Sequence, residues 1–565
     1  MIKKIIFYSL CSLWISGTVS AQTISGLSYE RQLHLRGEVY FSFSVPAGTD
    51  SKTLLNQLGR FISIDHKKGT HIFAYANRHG FQKFLSYHVN YKVQPAPSML
   101  LPRAVLDRGK QKNTSQWNYY PSYPEYLKLM DDFQTNYPQL CELVNIGQSV
   151  QGRQLLFIHL KPADSLKAKP LFMYTATMHG DETTPYVLML HLIDYLLKNY
   201  GKIPEVTRLL DSVDIWINPL ANPDGTYAGG DSSVYGATRF NANSIDLNRN
   251  YPDPADGDHP DGQAWQPETQ AFINFASTHH FVLSCNMHTG SEVANYPWDT
   301  WPRLHADNDW WQQVCRQYAD TVHAYAPAGY LTDLNDGITN GYVWYRITGG
   351  RQDYMNYFRH DREFTLEMSR VKMPDPGQLP GYWEDNYRSL IDYMEQTLYG
   401  IRGIVFDSLT RSPLEAKIIV AEHDTDHSEV YSSLPSGWFY RPIAAGNYTV
   451  KISAKGYFTK TIKGINISND QSRTLSVALK PSELGVENHS SPGLVLYPNP
   501  AHDFLRFKSS GGTIDRWEIF DATGKLMREG KRSVSTIKIN HWPPGIYFIR
   551  IKSGNKIYDK VFQHR

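Results

Sequence analysis

His179 and Glu182 stand three residues apart in His179-Gly180-Asp181-Glu182, so one turn of backbone can aim an imidazole and a carboxylate at a single point. A neutral imidazole and a carboxylate aimed together suit Zn²⁺. Alone the pair carries little weight, because such quartets are common by chance in surface turns. A second histidine adds to it. His179 follows an apolar run at 171–177, and His288 closes another at 281–287. Two strand ends of one sheet can meet. His179, Glu182 and His288 would then make a three-ligand set with an open fourth position, the arrangement of a hydrolytic zinc site.

Those residues need a scaffold. The run 171–177, the polar corner and a helical pattern at 183–200 give strand, sharp turn and helix, the layout of a site at the carboxyl end of a parallel strand. Further strands are predicted at 213–219 and 364–368, and helices at 122–137, 267–280, 310–326 and 382–399. Strands alternating with helices across 111–398 predict an α/β domain with a mixed or parallel sheet.

The flanks differ. Residues 22–110 predict a small α/β domain, with strands at 39–45 and 71–75, a helix at 51–58 and a linker marked by Pro95, Pro97 and Pro102. It is either a propeptide or a permanent accessory module. Residues 399–481 show short alternating strands at 401–406, 416–421, 448–454 and 473–479, an all-β sandwich. A polar linker, 482–493, leads to a second β domain at 494–565, with strands near 504–508, 516–520, 536–539 and 546–551.

At 565 residues the chain has room for several domains and a large core. Its net charge of +2, without long runs of one sign, argues against a dedicated nucleic-acid or membrane-surface protein. Lys3 and Lys4, an apolar segment at 5–15 and Val19-Ser20-Ala21 form a secretory signal, 1–21, with Gln22 as mature start. The apolar segment is too short to span a bilayer, and no later stretch is long and apolar enough. Cys11 leaves with the signal. The remaining Cys141, Cys285 and Cys315 are expected as buried reduced thiols rather than a disulfide scaffold.

Several motifs in order, HGDE, Asn222-Pro223-Asp224-Gly225, DLNRNYPD, MHTGSEVANYPWD, NGYVWYRITGGRQDY and EFTLEMS, resemble the zinc metallocarboxypeptidases of the carboxypeptidase A/B superfamily. They are most similar to the regulatory branch, carboxypeptidases N, E, M and D. SGWFYRPIAAGNYTVKISAKGY resembles the transthyretin-like domain that follows the catalytic unit there. LVLYPNPAHDF, IFDATGKLM and PPGIYFIRI resemble the C-terminal sorting domain of type IX secretion, with that machinery as partner and export to the surface or beyond as destination.

The resemblance implies one Zn²⁺ per chain on His179, Glu182 and His288, the His₂Glu set of carboxypeptidase A. It makes Glu367 the general base, which takes a proton from water and passes it on. Arg239, ten residues before Arg249, matches the arginine for the tetrahedral oxyanion. Asn248 and Arg249 match the grip on the substrate's terminal carboxylate, and Asp246 the acid that orients a ligand histidine. Asp299, eleven residues after His288, matches the acid that selects C-terminal Lys or Arg. The family's mobile tyrosine is sought three residues after the Asp of GGxQD. Asn356 stands there, so the neighbouring Tyr357 is assigned. The implied substrate is a peptide C-terminus. Cell-wall stem peptides, and a zinc-free binding role for the β modules, stand as the competing readings.

Overall fold

A computed structural model describes residues 28–107, 116–161, 168–482, 494–509, 514–531, 536–553 and 556–565. The signal at 1–21 and linker residues 483–493 lie outside these. Two compact units emerge. The larger holds the chain up to Phe406 with 412–453 and 460–478, and the smaller holds 407–411, 454–459 and 479–565.

The larger unit begins with a four-stranded antiparallel sheet. Its strands are β1 (Glu38–Ser44), β2 (Ser63–Lys68), β3 (His71–Asn77) and β4 (Tyr91–Val93), in the order β2-β3-β1-β4. Helices Tyr29–Arg36, Ser51–Leu58 and Arg78–Leu85 belong to the same domain, each opened by a polar N-cap: Ser28, Asp50 and Asn77. Val39, Phe41 and Phe43 alternate into its core with Ile72, Ala74, Phe81 and Phe84. Strand β2 is an edge strand that sequence periodicity did not register, because Ser63-Ile64-Asp65-His66-Lys67-Lys68 is mostly polar.

The central sheet has eight strands: β5 (Cys141–Gln148), β6 (Gln154–Leu160), β7 (Leu171–Ala176), β8 (Asp214–Asn218), β9 (Phe281–His288), β10 (Glu292–Tyr296), β11 (Ile338–Asn340) and β12 (Arg362–Met368). Their order is β11-β10-β12-β9-β7-β8-β6-β5. The middle four, β12, β9, β7 and β8, run parallel, while β10 and β6 join them antiparallel, so the sheet is mixed as expected. The parallel strands are buried on both faces, which is why they show apolar residues at consecutive positions rather than a strict alternation. Helices Tyr123–Asn136, Thr184–Asn199, Asn308–Tyr325 and Leu379–Glu395 contribute side chains to its largest hydrophobic cluster. Ser122 and Glu125 form a reciprocal capping box at the first of them. Cys141, Cys285 and Cys315 are free and buried.

Two sheets of three and four strands, between Gly400 and Leu479, form the β-sandwich. Trp438–Arg441 and Lys460–Ile467 are strands additional to those the sequence pattern marks. In the smaller unit, strands Leu494–Tyr497, Phe504–Ser509 and Ile537–Lys538 form one sheet. Leu526–Lys531, Arg516–Asp521, Gly545–Ser553 and Lys556–His564 form another, with Trp517, Ile519, Ile549 and Ile551 in the core. Among the described residues no helix is long and apolar enough to cross a membrane.

Candidate active site and metal centre

The corner after β7 is built by local necessity. Thr177 turns the chain with φ of 62°, and its hydroxyl donates to the Glu182 carbonyl at 3.1 Å, closing the turn that carries both side chains. Gly180 must lack a side chain, since a Cβ there would sit 2.3 Å from the Gly225 carbonyl carbon. Asn222 explains the Asn-Pro-Asp-Gly motif. Its side chain accepts from Gly225 N at 2.8 Å and donates to the Met178 and Arg239 carbonyls at 3.2 and 3.3 Å. The motif therefore ties together the segments that carry His179 and Arg239.

His288 is the last residue of β9, and in the β9–β12 register it lies opposite Glu367. The sheet thus places base and ligand on adjacent strands, about 5 Å apart in backbone. Nδ1 of His288 is 3.0 Å from Nδ1 of His179 and 2.8 Å from Glu182 Oε2, while His179 Nδ1 is 2.9 Å from Glu182 Oε1. All three are buried and offer ligand atoms within 4.8 Å of one another. Their outer nitrogens are held too, His179 Nε2 by Asp246 at 3.1 Å and His288 Nε2 by Asn286 at 2.8 Å. Burial pushes His288 down to about 4, so its imidazole is neutral as a metal ligand requires. Two imidazole nitrogens facing each other across a shared carboxylate, all withdrawn from water, fit a divalent cation.

The other expected residues converge on the same cavity. Glu367, Arg239, Asn248, Arg249 and Asp299 line it with the three ligands. Glu367 Oε2 and Arg249 Nε are buried without a protein partner, as suits groups awaiting substrate or water. Burial, then the charge on Glu182, pushes the Glu367 carboxyl well above the usual range. Arg239 is clamped by Asp246 at 3.1 Å. Although burial opposes it, Arg239 and His179 hold Asp246 well below its ordinary value. Arg249 donates to the Asn248 carbonyl at 2.7 Å, and Asn248 Oδ1 accepts from Arg351 N at 2.9 Å. Asp353 accepts from the backbone N–H of Asp299 and Thr300, which fixes the loop that carries Asp299. Asn295 donates to Asp299 Oδ1 at 3.1 Å. Burial pushes Asp299 up to about 7.

One assignment is corrected. Tyr357 lies on helix Arg351–Phe358, but its ring packs against Trp301, Phe358 and His427 and does not line the cavity. The tyrosine that does is Tyr345, ahead of Gly349-Gly350 rather than after them. Counting forward from Asp353 followed the helix, whose turn carries position 357 away from the site. Sequence reasoning also missed Lys372, with Nζ 2.5 Å from Glu182 Oε1, and Asp65, whose Oδ1 lies 3.0 Å from the same Nζ. Although burial opposes its charge, Asp65 and Glu182 hold the Lys372 ammonium above its usual value. No spacing rule marks either residue. His360, His427 and Glu429 form a second donor group, but Lys417 already pairs with Glu429 at 2.7 Å.

The family model described as zinc carboxypeptidase matches residues 126–389, that of the carboxypeptidase regulatory-like domain 400–480, and that of the secretion system C-terminal sorting domain 495–563. Carboxypeptidase M of Mus musculus is 36% identical over 399 residues, covering 66% of this chain and 89% of that protein. The catalytic chain of carboxypeptidase N from Rattus norvegicus is 31% identical over 405 residues, 65% of this chain and 86% of the other. Carboxypeptidase D of Mus musculus is 35% identical over 395 residues, 66% of this chain, which spans only 28% of that longer protein. The crystal structure of carboxypeptidase A from Helicoverpa armigera superposes with a TM-score of 0.51 at 19% identity, covering 64% of this chain and 98% of that one. At that identity the likeness is one of fold.

Proposed function

Because the chain belongs to the zinc carboxypeptidase family, we propose that it is an exported exopeptidase that removes a single C-terminal Lys or Arg from peptides. The observation that carries this reading is the meeting of His179, Glu182 and His288 in one cavity with Glu367, whose buried Oε2 has no protein partner. These three residues would hold one Zn²⁺ per chain, which when bound supplies Lewis acidity toward the scissile carbonyl and lowers the pKa of a water to about 7.

The chain's own groups do the rest. Glu367 accepts the proton of the attacking water and delivers it to the leaving amine. Its raised affinity for a proton suits both halves of that transfer. Arg239, held rigid by Asp246, offers a fixed positive charge to the oxyanion as it develops. Asn248 and Arg249 bind the terminal carboxylate, so a peptide without a free C-terminus finds no partner for the Arg249 fork. Asp299 lies buried in the same cavity. A cationic side chain there restores its ionised form, whereas an apolar one leaves the carboxyl unmatched. Tyr345, also on the cavity, is the tyrosine that faces substrate. The match of 495–563 to secretion sorting domains supports export through the type IX machinery.

Peptides differing only in their last residue, assayed alongside metal analysis of the same sample, test the reading. One zinc per chain and turnover confined to C-terminal Lys or Arg is expected. Activity without zinc, or indifference to the last residue, would sink it.

A further inference from the structure

Away from the cavity, His360, His427 and Glu429 bring one ligand atom each to within 4.8 Å of one another. His360 stands two residues ahead of β12, at the other end of that strand from Glu367. His427 and Glu429 belong to the sandwich, in the turn before strand Val430–Tyr431. Residues 67 apart in the chain, from two domains, thus meet at one point.

Protein contacts already hold the two segments in that register. Nδ1 of His360 donates to the His427 carbonyl at 2.9 Å. A carbonyl only accepts, so this bond puts the ring proton on Nδ1 and leaves Nε2 bare, the tautomer that ligates a metal. Arg362 donates to the carbonyl of Ser428, between His427 and Glu429, at 2.5 Å. Arg303 grips both oxygens of Asp426 at 2.8 Å. The His427 ring packs against Tyr357 at 4.4 Å, which steadies it although the residue is exposed.

Two imidazoles and a carboxylate suit an ion of the zinc class and not Ca²⁺ or Mg²⁺, which take oxygen ligands. Lys417 takes only Oε1 of Glu429, and a carboxylate has a second oxygen to offer. The Lys417 side chain is 38% exposed and can swing into water when an ion arrives. This competition and the exposure of His427 make the group a weaker binder than the fully buried set at 179, 182 and 288.

We propose that His360, His427 and Glu429 bind a second transition-metal ion of the zinc class, with micromolar affinity, and that this ion staples the β-sandwich to the catalytic domain. It fills from surrounding metal after the tighter site is loaded, with water completing its coordination. Because the three donors meet only in the folded chain, the ion stabilises that state. The proposal is independent of the carboxypeptidase reading.

Calorimetric titration of Zn²⁺ into the zinc-loaded full chain, dialysed free of excess metal, tests it. His427→Ala and His360→Gln variants are titrated beside the parent, and the parent also with Ca²⁺. One further binding event per chain is expected, in the micromolar range and with no counterpart for Ca²⁺. Each substitution is expected to weaken it at least tenfold, while near-ultraviolet circular dichroism equal to the parent's shows that the variants fold. Added zinc is expected to raise the denaturation midpoint of the parent and leave that of the variants unmoved. Absence of the further event in the parent would overturn the site, as would an event that either variant keeps at full strength or that Ca²⁺ reproduces. Binding lost in both variants, with no shift of the parent's midpoint, would uphold the ion and overturn the staple.

Discussion

Two clusters of buried charge lie in the larger unit, and they are balanced differently. Where the sandwich meets the catalytic sheet, Asp307 pairs with Arg362 at 2.8 Å and with Arg441 at 2.8 Å, and Arg441 reaches Asp424 at 2.5 Å. Two carboxylates there meet two guanidiniums. Around the cavity, Asp65, Asp181, Glu182, Asp246, Asp299 and Glu367 outnumber Arg239, Arg249 and Lys372. The electrostatic consequences diverge accordingly. Despite burial, the arginines hold Asp307 and Asp424 below their ordinary values, whereas burial and Glu182 hold Glu367 well above its own. A neutralised cluster is a joint. A cluster with more buried carboxyl groups than cationic side chains can ionise fully only when a further cation arrives, which a divalent metal and a basic substrate side chain both provide.

That contrast can be broken most severely at the base. Glu367→Gln should lower kcat by about 10²–10⁴-fold while metal analysis still finds one zinc per chain; activity close to the parent's would remove Glu367 from the mechanism. At the joint, Arg441→Met takes the guanidinium from Asp424 and leaves Asp307 with Arg362 alone, and chemical denaturation should register a loss of about 3–5 kcal/mol. The activity of the molecules that remain folded should be unchanged. Asp299→Ala should cut kcat/KM for C-terminal Arg by tenfold or more and leave a C-terminal Leu peptide little affected. An unchanged Arg-to-Leu ratio would mean that Asp299 selects nothing.

The pH response separates the clusters further. Asp307 and Asp424 have folded-state pKa values below the ordinary 3.8, so the unfolded chain takes up protons first as pH falls. Their contribution is fully present above about pH 4 and drains away as pH drops toward the folded values. Denaturation midpoints should therefore fall on acidification below pH 4, with a shallower fall in Arg441→Met. The smallest effect is expected from the tyrosines. Tyr345→Phe should raise KM a few-fold with kcat nearly constant, and Tyr357→Phe should change neither. The reverse pattern would restore the assignment made by counting along the motif.

Much of the site was legible because its logic is local. The His179–Glu182 spacing is one turn of chain, and His288 and Glu367 lie near the ends of short strand patterns. The mixed sheet followed from the same alternation of strands and helices. Strands β2, β10 and β11 were harder to see. β2 is largely polar, and the other two are short and lie among loop residues.

What the amino-acid order offered by itself was a candidate metal-ligand set, read from side-chain chemistry and short spacing, while the expected roles of Glu367, Arg239, Asn248 and Arg249 came from the family resemblance. Tertiary structure alone decided which tyrosine faces the cavity, which lysine braces Glu182, and that Asp65, more than a hundred residues upstream of His179, points into the same space. The physical reason is that a bulge shifts a strand's facing by one residue, and the packing of one sheet against another sets which distant charges meet. Neither leaves a periodic trace in the sequence.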